Sequence, residues 1–215
     1  MTIEAEDRNR IMMSAVRHAA FDGWTDRILV QGARDAGYSA DAAERAFPGG
    51  VDDLIVAFSE WADTCMADAL VHYNLSALKV GARVALGVRL RLECLAPHRE
   101  AVRRLTGHCA LPGNASLGAR LVARTVDAVW YAAGDTATDF SYYTKRGLLA
   151  AVYGSTVLYW LGDESEGRVE TWGFLERRLE DTMRVRRLGG SVERMLDQLP
   201  FPFRLWRVAR RRGPI

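Results

Sequence analysis

The sequence lacks the residue patterns that mark most enzymes and metalloproteins. Its four histidines lie far apart in the chain and show no metal-ligand spacing. It has no glycine-rich phosphate loop, no HExxH metalloprotease motif and no GxSxG nucleophile elbow. We therefore predict a protein that is not an enzyme, with no catalytic residue, no bound metal and no cofactor.

Cysteine is scarce as well. Cys65, Cys94 and Cys109 are an odd number of thiols without paired spacing, which argues against a disulfide framework and against a zinc site. We predict that all three are reduced core thiols in a cytosolic protein. The first ten residues, MTIEAEDRNR, are acidic and polar, so we expect no signal or transit peptide.

Sustained alternation of apolar and polar residues, which is typical of strands, is missing too. Apolar residues instead recur at helical spacing, and turn residues fall at helical intervals, so the sequence predicts an all-α fold. A hydrophobic content of 49% is enough for a sizeable core. At 215 residues the chain fits one domain, or one domain with a small appendage.

What the chain does have is an exceptionally apolar central helix. Between Asp139 and Leu161 charge occurs at Asp139, Lys145 and Arg146, and the run GLLAAVYGSTVLYWL from Gly147 has none. This stretch is shorter than the roughly 20 apolar residues that cross a bilayer. A helix that is apolar on nearly all faces is buried on more than one side. We expect one face to pack on its own domain and the other on a second copy of the chain or on a lipid.

The first 48 residues predict a helix-turn-helix head. A helix from about Glu4 to Phe21, a second helix capped by Thr25 and a short third helix capped by Ser39 follow one another. The third helix, SADAAERAF, has two acids and one arginine. Because DNA binding needs cations against phosphate, we predict that the head is a scaffold that does not bind nucleic acid.

The rest of the body is predicted as further helices. Their expected ranges are about 52–73, 76–95, a short one to Thr106, one from Ala115, the central helix, and a last one with an apolar stripe of Val169, Trp172, Leu175, Leu179 and Met183.

The C-terminal segment is basic. Residues 1–60 carry eleven acids and six arginines, whereas nine arginines and two acids follow from Arg184 onward. After a glycine pair, arginines alternate with aromatic residues past Pro200 and Pro202, which is typical of an amphipathic element on anionic lipid. A tail helix docked on the body is the alternative. The predicted membrane-binding residues are Met195, Leu199, Phe201, Phe203, Arg204, Trp206, Arg207 and Arg210, which implies a cytoplasmic protein peripheral to the inner face of the cell membrane.

One motif series resembles a known family. The run from Ala133 to Asp139, then Tyr143-Thr-Lys-Arg146, Val152-Tyr153 and TWGFLERR from Thr171, is similar to the Coq-nine family over about residues 115–188. That family comprises accessory proteins of ubiquinone biosynthesis with a fold like that of TetR regulators. The resemblance implies an isoprenoid quinone precursor as ligand, the di-iron demethoxyubiquinone hydroxylase as partner, and a homodimer that buries its last long helices in a four-helix bundle.

Two sets of site residues follow. Seven large apolar residues on helices that should converge are predicted to line a lipid site, with ordinary close packing as the alternative: Trp61, Leu121, Trp130, Leu148, Val152, Tyr153 and Phe174. A partner-binding surface is predicted at Asp135, Asp139, Tyr142, Tyr143, Lys145 and Arg146. The resemblance implicates the two tyrosines, and the three- and four-residue spacing makes a contiguous patch. Asp139 as a helix cap and Tyr143 as a core residue are the alternatives.

The sequence thus predicts a TetR-like helical bundle with a vestigial head at 1–48, a lipid-binding and dimerisation body at 49–188, and a membrane-binding tail at 189–215. Its expected function is to bind a quinone precursor and present it to the hydroxylase. Two alternatives stay open. A ligand-responsive TetR-type transcription repressor would bind DNA at low salt, and a membrane adaptor without a ligand would carry no lipid when purified.

Overall fold

The computed structural model describes residues 4–134 and 140–182, with side chains described for 4–134 and 144–182. Within these ranges the chain forms helices joined by short turns and contains no strand, which confirms the all-α prediction. The chain divides into two compact units, residues 1–175 and residues 176–215. No helix in the described ranges is long and apolar enough to cross a membrane.

The helices follow one another in a simple order. They are α1 (Ala5–Asp22), α2 (Asp26–Asp35), α3 (Ala40–Ala46), α4 (Val51–Leu70), α5 (Val80–Leu95), α6 (Arg99–Ala110), α7 (Ala115–Ala132), α8 (Phe140–Gly162) and α9, whose described part is 169–182. Short 3-10 turns lie at Leu75–Ala77, Ala96–His98, Pro112–Asn114 and Glu166–Arg168.

Two helix boundaries differ from the sequence predictions. Helix α5 begins at Val80 rather than at Ser76, because the Ser76 hydroxyl donates to Asn74 Oδ1 (2.6 Å) within a separate turn instead of capping the helix. Helix α6 continues past Thr106 to Ala110 and accommodates Gly107 in its last turns.

The head is built by close packing of α1 on α2. Ile11, Ala15 and Ala19 are buried, as their spacing predicts. A Cβ atom at Gly32 would lie 2.5 Å from the Ala15 backbone nitrogen, so only glycine permits this approach. The Ser39 hydroxyl accepts from the Ala42 amide (3.2 Å), which confirms the predicted cap of α3.

The head is fastened to the body by Trp24. Its indole N–H donates to the Ala101 carbonyl of α6 (2.9 Å), and its ring lies 5.7 Å from that of Phe58 in α4. Trp24 and Phe58 are 4% and 1% exposed. The three head helices are therefore part of one hydrophobic core with the body.

Helix α8 is the predicted central helix. It buries Leu149, Val152 and Trp160 on the side that faces the body. Ala151 and Gly147 are exposed, and Leu158 is 60% exposed, so an apolar face of small residues remains uncovered in the single chain.

The cysteine prediction is wrong. Cys65 of α4 and Cys94 of α5 form a disulfide, with their Cα atoms 6.3 Å apart. Because α4 and α5 pack side by side, residues separated by 29 positions in the sequence come into contact, and their spacing alone gives no sign of it. Cys109 is free and half-buried.

The predicted apolar stripe of α9 holds only in part. Leu175 and Leu179 are buried, but Val169 is 64% exposed because it lies in the first turn of the helix. Trp172 is half-buried, and its indole N–H donates to the Gly167 carbonyl (2.8 Å). Met183 lies outside the described residues.

The turn between α8 and α9 is organised around the buried carboxylate of Asp163. Its Oδ1 accepts from the Ser165 amide (2.8 Å) and hydroxyl (2.6 Å). Its Oδ2 accepts from the Thr171 amide (2.9 Å) and hydroxyl (2.6 Å). Burial opposes the charged form, but these hydrogen bonds outweigh it and hold the pKa of Asp163 well below its usual range.

Asp163→Asn should lower the free energy of unfolding by about 1–3 kcal/mol at neutral pH, since the amide cannot accept all four hydrogen bonds. A carboxylate whose pKa is depressed by folding stabilises the protein above its unfolded-state pKa, and this stabilisation is lost as the pH falls towards the folded-state value. The difference between variant and wild type should therefore shrink below about pH 4. Urea unfolding at about pH 7 and pH 3 measures it, with the exposed Asp22→Asn as the control. If the difference in unfolding free energy between Asp163→Asn and the wild type did not change with pH, the depressed pKa of Asp163 would be contradicted.

Candidate functional site

Helices α4 to α8 line an apolar cavity of about 290 Å³ that is partly open to solvent. Its lining residues are Phe58, Ser59, Arg91, Leu95, Val102, Leu105, Thr106, Cys109, Gly118, Leu121, Val122, Thr125, Tyr153, Gly154, Val157 and Leu158. The volume is about twice that of a 150 Å³ cavity that holds benzene, and it lies near the lower end of pockets that take drug-sized ligands. The space is large enough for a ring and a short apolar chain.

Two glycines shape the walls of this cavity, one by allowing two helices to approach closely and the other by leaving space unfilled. Gly118 of α7 lies so close to α6 that an added Cβ would be 2.9 Å from Cys109 Cβ. Gly154 of α8 faces open space, because an added Cβ there would meet no atom within 4 Å. Helix α8 therefore contributes no side chain at position 154, where the cavity remains unfilled.

The cavity has an apolar rim and a polar inner end. Leu158 is 60% exposed and marks the rim. Thr125, Arg91 and Tyr153 are 1%, 3% and 7% exposed, so the polar groups lie far from solvent. An amphiphilic molecule that enters past Leu158 would reach the polar groups last.

The polar groups form one connected cluster, here called the Arg91 cluster: Ser59, Asp63, Arg91, Thr125 and Tyr153. Arg91 Nε donates to Asp63 Oδ1 (2.6 Å), Nη1 donates to the Tyr153 hydroxyl (2.5 Å), and Nη2 donates to the Ser59 hydroxyl (3.0 Å). The Thr125 hydroxyl donates to Asp63 Oδ1 (3.3 Å). Every buried member therefore has a partner.

The Arg91 cluster carries one positive and one negative charge. Burial alone would lower the pKa of Arg91, but Tyr153 and the Asp63 carboxylate outweigh burial and raise it. Burial raises the pKa of Tyr153, and Arg91 offsets this only partly, so the phenol is uncharged at neutral pH. The guanidinium and the Asp63 carboxylate thus neutralise each other within the cluster.

No metal centre accompanies this cavity in the described part of the chain, where no group of three or more His, Cys, Asp or Glu is close enough to hold an ion. The nearest imidazole, His98, packs edge-on against the rings of Phe58 and Trp61. Burial lowers the pKa of His98 and favours its neutral form. These rings support the wall of the cavity.

Of the seven residues predicted to line a lipid site, the structure brings Leu121 and Tyr153 together in this cavity. Trp61 stacks on the far side of Phe58, with ring centroids 5.7 Å apart. Val152 is buried in the core without lining the cavity.

The remaining three lie elsewhere. Trp130 has the Lys145 ammonium 5.6 Å from its ring centroid, and Phe174 stacks on Tyr159 at 4.6 Å. Leu148 is half-buried and does not line the cavity. A lipid-binding role for any of the seven stays a prediction.

The predicted partner surface is described only in part. Asp135 and Asp139 lie outside the described residues, as do the side chains of Tyr142 and Tyr143. Lys145 packs over the Trp130 ring, and the Arg146 guanidinium pairs with Asp127.

All eight predicted membrane-binding residues also lie outside the described ranges. The sequence therefore remains the sole ground for the membrane-binding tail.

The sequence analysis missed the residues that give this cavity its chemistry. Arg91 falls at helical spacing on the face of α5 that also carries the buried residues Val84, Val88 and Leu95, where a charged side chain must be paired to be buried. Ser59 and Asp63 lie four residues apart on the apolar side of α4, which is a signal for such a partner. These two anomalies together could have predicted a buried polar cluster.

Known proteins resemble the chain in sequence and fold. The family model described as COQ9 matches residues 115–186. A human protein named "Ubiquinone biosynthesis protein COQ9, mitochondrial" is 31% identical over 85% of the chain and 59% of its own length. A Xenopus laevis protein, COQ9-B, is 31% identical over 89% of the chain and 67% of its own length. The chain thus spans about three fifths of the human relative.

A solved structure described as a TetR transcriptional regulator from Nitrosomonas europaea ATCC 19718 superposes with a TM-score of 0.66 at 25% identity, over 82% of this chain and 97% of that one. This likeness confirms the predicted TetR-like fold. The COQ9 relatives, of which the Xenopus protein is matched over two thirds of its length, confirm the family that the sequence motifs indicate. The chain therefore belongs to the COQ9 family.

Proposed function

We propose that this chain is a non-enzymatic accessory protein of ubiquinone biosynthesis that binds an isoprenoid quinone precursor and presents it to the demethoxyubiquinone hydroxylase at a membrane. The relatives are named as ubiquinone biosynthesis proteins, which supports the pathway. The observation that supports a ligand is the apolar cavity with a buried polar end.

The size of the cavity supports a ligand that is only partly enclosed. About 290 Å³ accommodates a ring and a short part of an isoprenoid chain. The remainder of a long chain would leave past the exposed Leu158, on the same face of α8 as Ala151 and Gly147. A second protomer or a membrane would shield this apolar face, so we include a homodimer in the proposal.

Gly154→Leu should block the cavity without unfolding the protein. The leucine fits in open space beside the cavity, and replacing glycine within a helix stabilises it by up to about 1 kcal/mol. Mass spectrometry of the lipid extracted from the purified protein should find bound lipid in the wild type and strong depletion in the variant. Gly107→Leu in α6 is the matched control, since its added Cβ also meets no atom within 4 Å, the position is exposed, and it does not line the cavity.

The rate of Cys109 alkylation provides a second readout of lipid binding. It is the one cysteine outside the disulfide, it lines the cavity, and burial raises its pKa, so its alkylation by N-ethylmaleimide should be slow. A bound lipid should slow it further in the wild type but not in Gly154→Leu. Wild-type protein that carries no lipid and shows no protection of Cys109 by any added lipid would refute the proposal.

We place the hydroxylase-binding surface at the N-terminal part of α8, around Tyr142 and Lys145. The double variant Tyr142→Ala, Lys145→Glu should weaken binding of the hydroxylase by about 1–3 kcal/mol, as truncation of an interface hot spot does. Co-purification and titration measure this, with Tyr73→Ala, an exposed tyrosine in the turn after α4, as the control. Undiminished binding by the double variant would place the partner surface elsewhere.

A repressor is the alternative function, because the structural neighbour is described as a transcriptional regulator. Against it, α3 exposes Asp41 and Glu44 beside Arg45, which is a poor surface for phosphate. We therefore propose that the head is a scaffold. We propose a location peripheral to a membrane, while the named relatives are mitochondrial.

A further inference from the structure

The charge balance of the Arg91 cluster limits what the inner end of the cavity can hold. Arg91 Nε lies 2.6 Å from Asp63 Oδ1, so the two charges neutralise each other, and no further cation lines the cavity. A ligand carboxylate or phosphate placed there would give the site a net negative charge beside side chains that are largely buried. Burying a charge without a counter-ion costs several kcal/mol, so an anionic head group is disfavoured.

The hydrogen-bond geometry of the same cluster favours an acceptor. The hydroxyl oxygens of Ser59 and Tyr153 both accept from the Arg91 guanidinium, at 3.0 Å and 2.5 Å. A hydroxyl whose oxygen already accepts a charge-assisted bond has its own hydrogen left to donate. Ser59 and Tyr153 both line the cavity, so their hydroxyl groups are the candidate donors to a ligand oxygen.

We propose that the Arg91 cluster is a head-group site that admits its ligand polar end first and selects a neutral carbonyl or ether oxygen over a carboxylate. This inference rests on the proposed lipid-binding function and specifies the chemical class of the ligand. The apolar tail of the ligand extends outward past Leu158, and its polar head group lies next to the Arg91 cluster. The site therefore discriminates between lipids by their head groups. A fatty acid of equal length is excluded by charge, although it fits by shape.

Three compounds with nine carbons test the proposal on the full chain: methyl heptyl ketone, nonanoic acid and nonane. The concentration dependence with which each protects Cys109 from N-ethylmaleimide gives its affinity. The ketone should bind about three- to tenfold more tightly than the alkane, which is the effect of one net hydrogen bond. The ionised acid should bind at least about tenfold more weakly than the ketone.

Two variants assign the selectivity to the cluster. Tyr153→Phe keeps the ring and should remove most of the preference for the ketone over nonane. Tyr159→Phe, the same change on α8 outside the cavity, should leave the preference intact. Asp63→Asn keeps the side-chain volume and leaves the Arg91 charge unbalanced, so it should improve nonanoate binding relative to the ketone by at least about tenfold.

The outcomes separate this inference from the proposed function. If none of the three compounds protects Cys109, the lipid-binding function itself fails. If all three protect equally in the wild type, lipid binding stands and the head-group site is refuted. Selectivity that survives Tyr153→Phe and is unchanged in Asp63→Asn would equally overturn the assignment to this cluster.

Discussion

Asp63→Leu should lower the free energy of unfolding by about 3–5 kcal/mol, one of the two largest effects that we expect. The side chain of Arg91 is 4% exposed and that of Asp63 is 15% exposed. Removing the carboxylate leaves a buried guanidinium without its counter-ion, and a buried charge that has lost its partner is among the most destabilising changes in a protein. Urea unfolding at neutral pH measures the loss.

The double variant Asp63→Leu, Arg91→Met should recover most of that loss, because it replaces both charges with apolar groups of similar volume. An intact buried ion pair adds little to the free energy of unfolding. A single buried charge that has lost its partner lowers that free energy by much more. The double variant should, however, lose the preference for a neutral oxygen over a carboxylate. A double variant that is as unstable as Asp63→Leu would show that the pair is needed for packing rather than for ligand selection.

Deleting residues 191–215 should abolish sedimentation with anionic vesicles. This segment carries six arginines and two acids. Each arginine near an anionic surface contributes about 1 kcal/mol, so the net charge alone accounts for about 4 kcal/mol, or roughly a thousandfold in affinity. Burial of the five predicted apolar anchors, among them Phe203 and Trp206, adds to this.

A second variant separates charge from aromatic burial. Changing Arg204, Arg207 and Arg210 to glutamine should weaken sedimentation strongly and make the remainder insensitive to salt. Vesicles of neutral phosphatidylcholine are the control for both variants. Unchanged sedimentation of the truncated protein on anionic vesicles would place membrane attachment in residues 1–190.

Periodicity and turn residues were sufficient to predict the helices but not their contacts. The head, the Ser39 cap and the central helix α8 follow from local spacing, and all three are present. The disulfide between Cys65 and Cys94 and the pair of Asp63 with Arg91 depend on how α4 packs against α5. The spacing can mark Arg91 and Asp63 as polar residues on apolar faces, but it does not show which residues of the two helices come into contact.

The sequence predicts which helices form the candidate site, but not which side chains line it. Large apolar residues were chosen as ligand contacts, yet Trp61 and Trp130 pack against other side chains. The cavity remains unfilled where Gly154 supplies no side chain. Large apolar side chains can be recognised in the sequence. A cavity depends instead on where facing helices carry no large side chain, and the sequence does not show which residues face each other.

The contact between Trp24 and Phe58 links the head directly to a residue that lines the cavity. Phe58 lines the cavity, and the Trp24 ring packs 5.7 Å behind it. Loss of the first three helices would remove this packing against Phe58. The interior of the head, unlike its surface, is therefore coupled to the shape of the cavity.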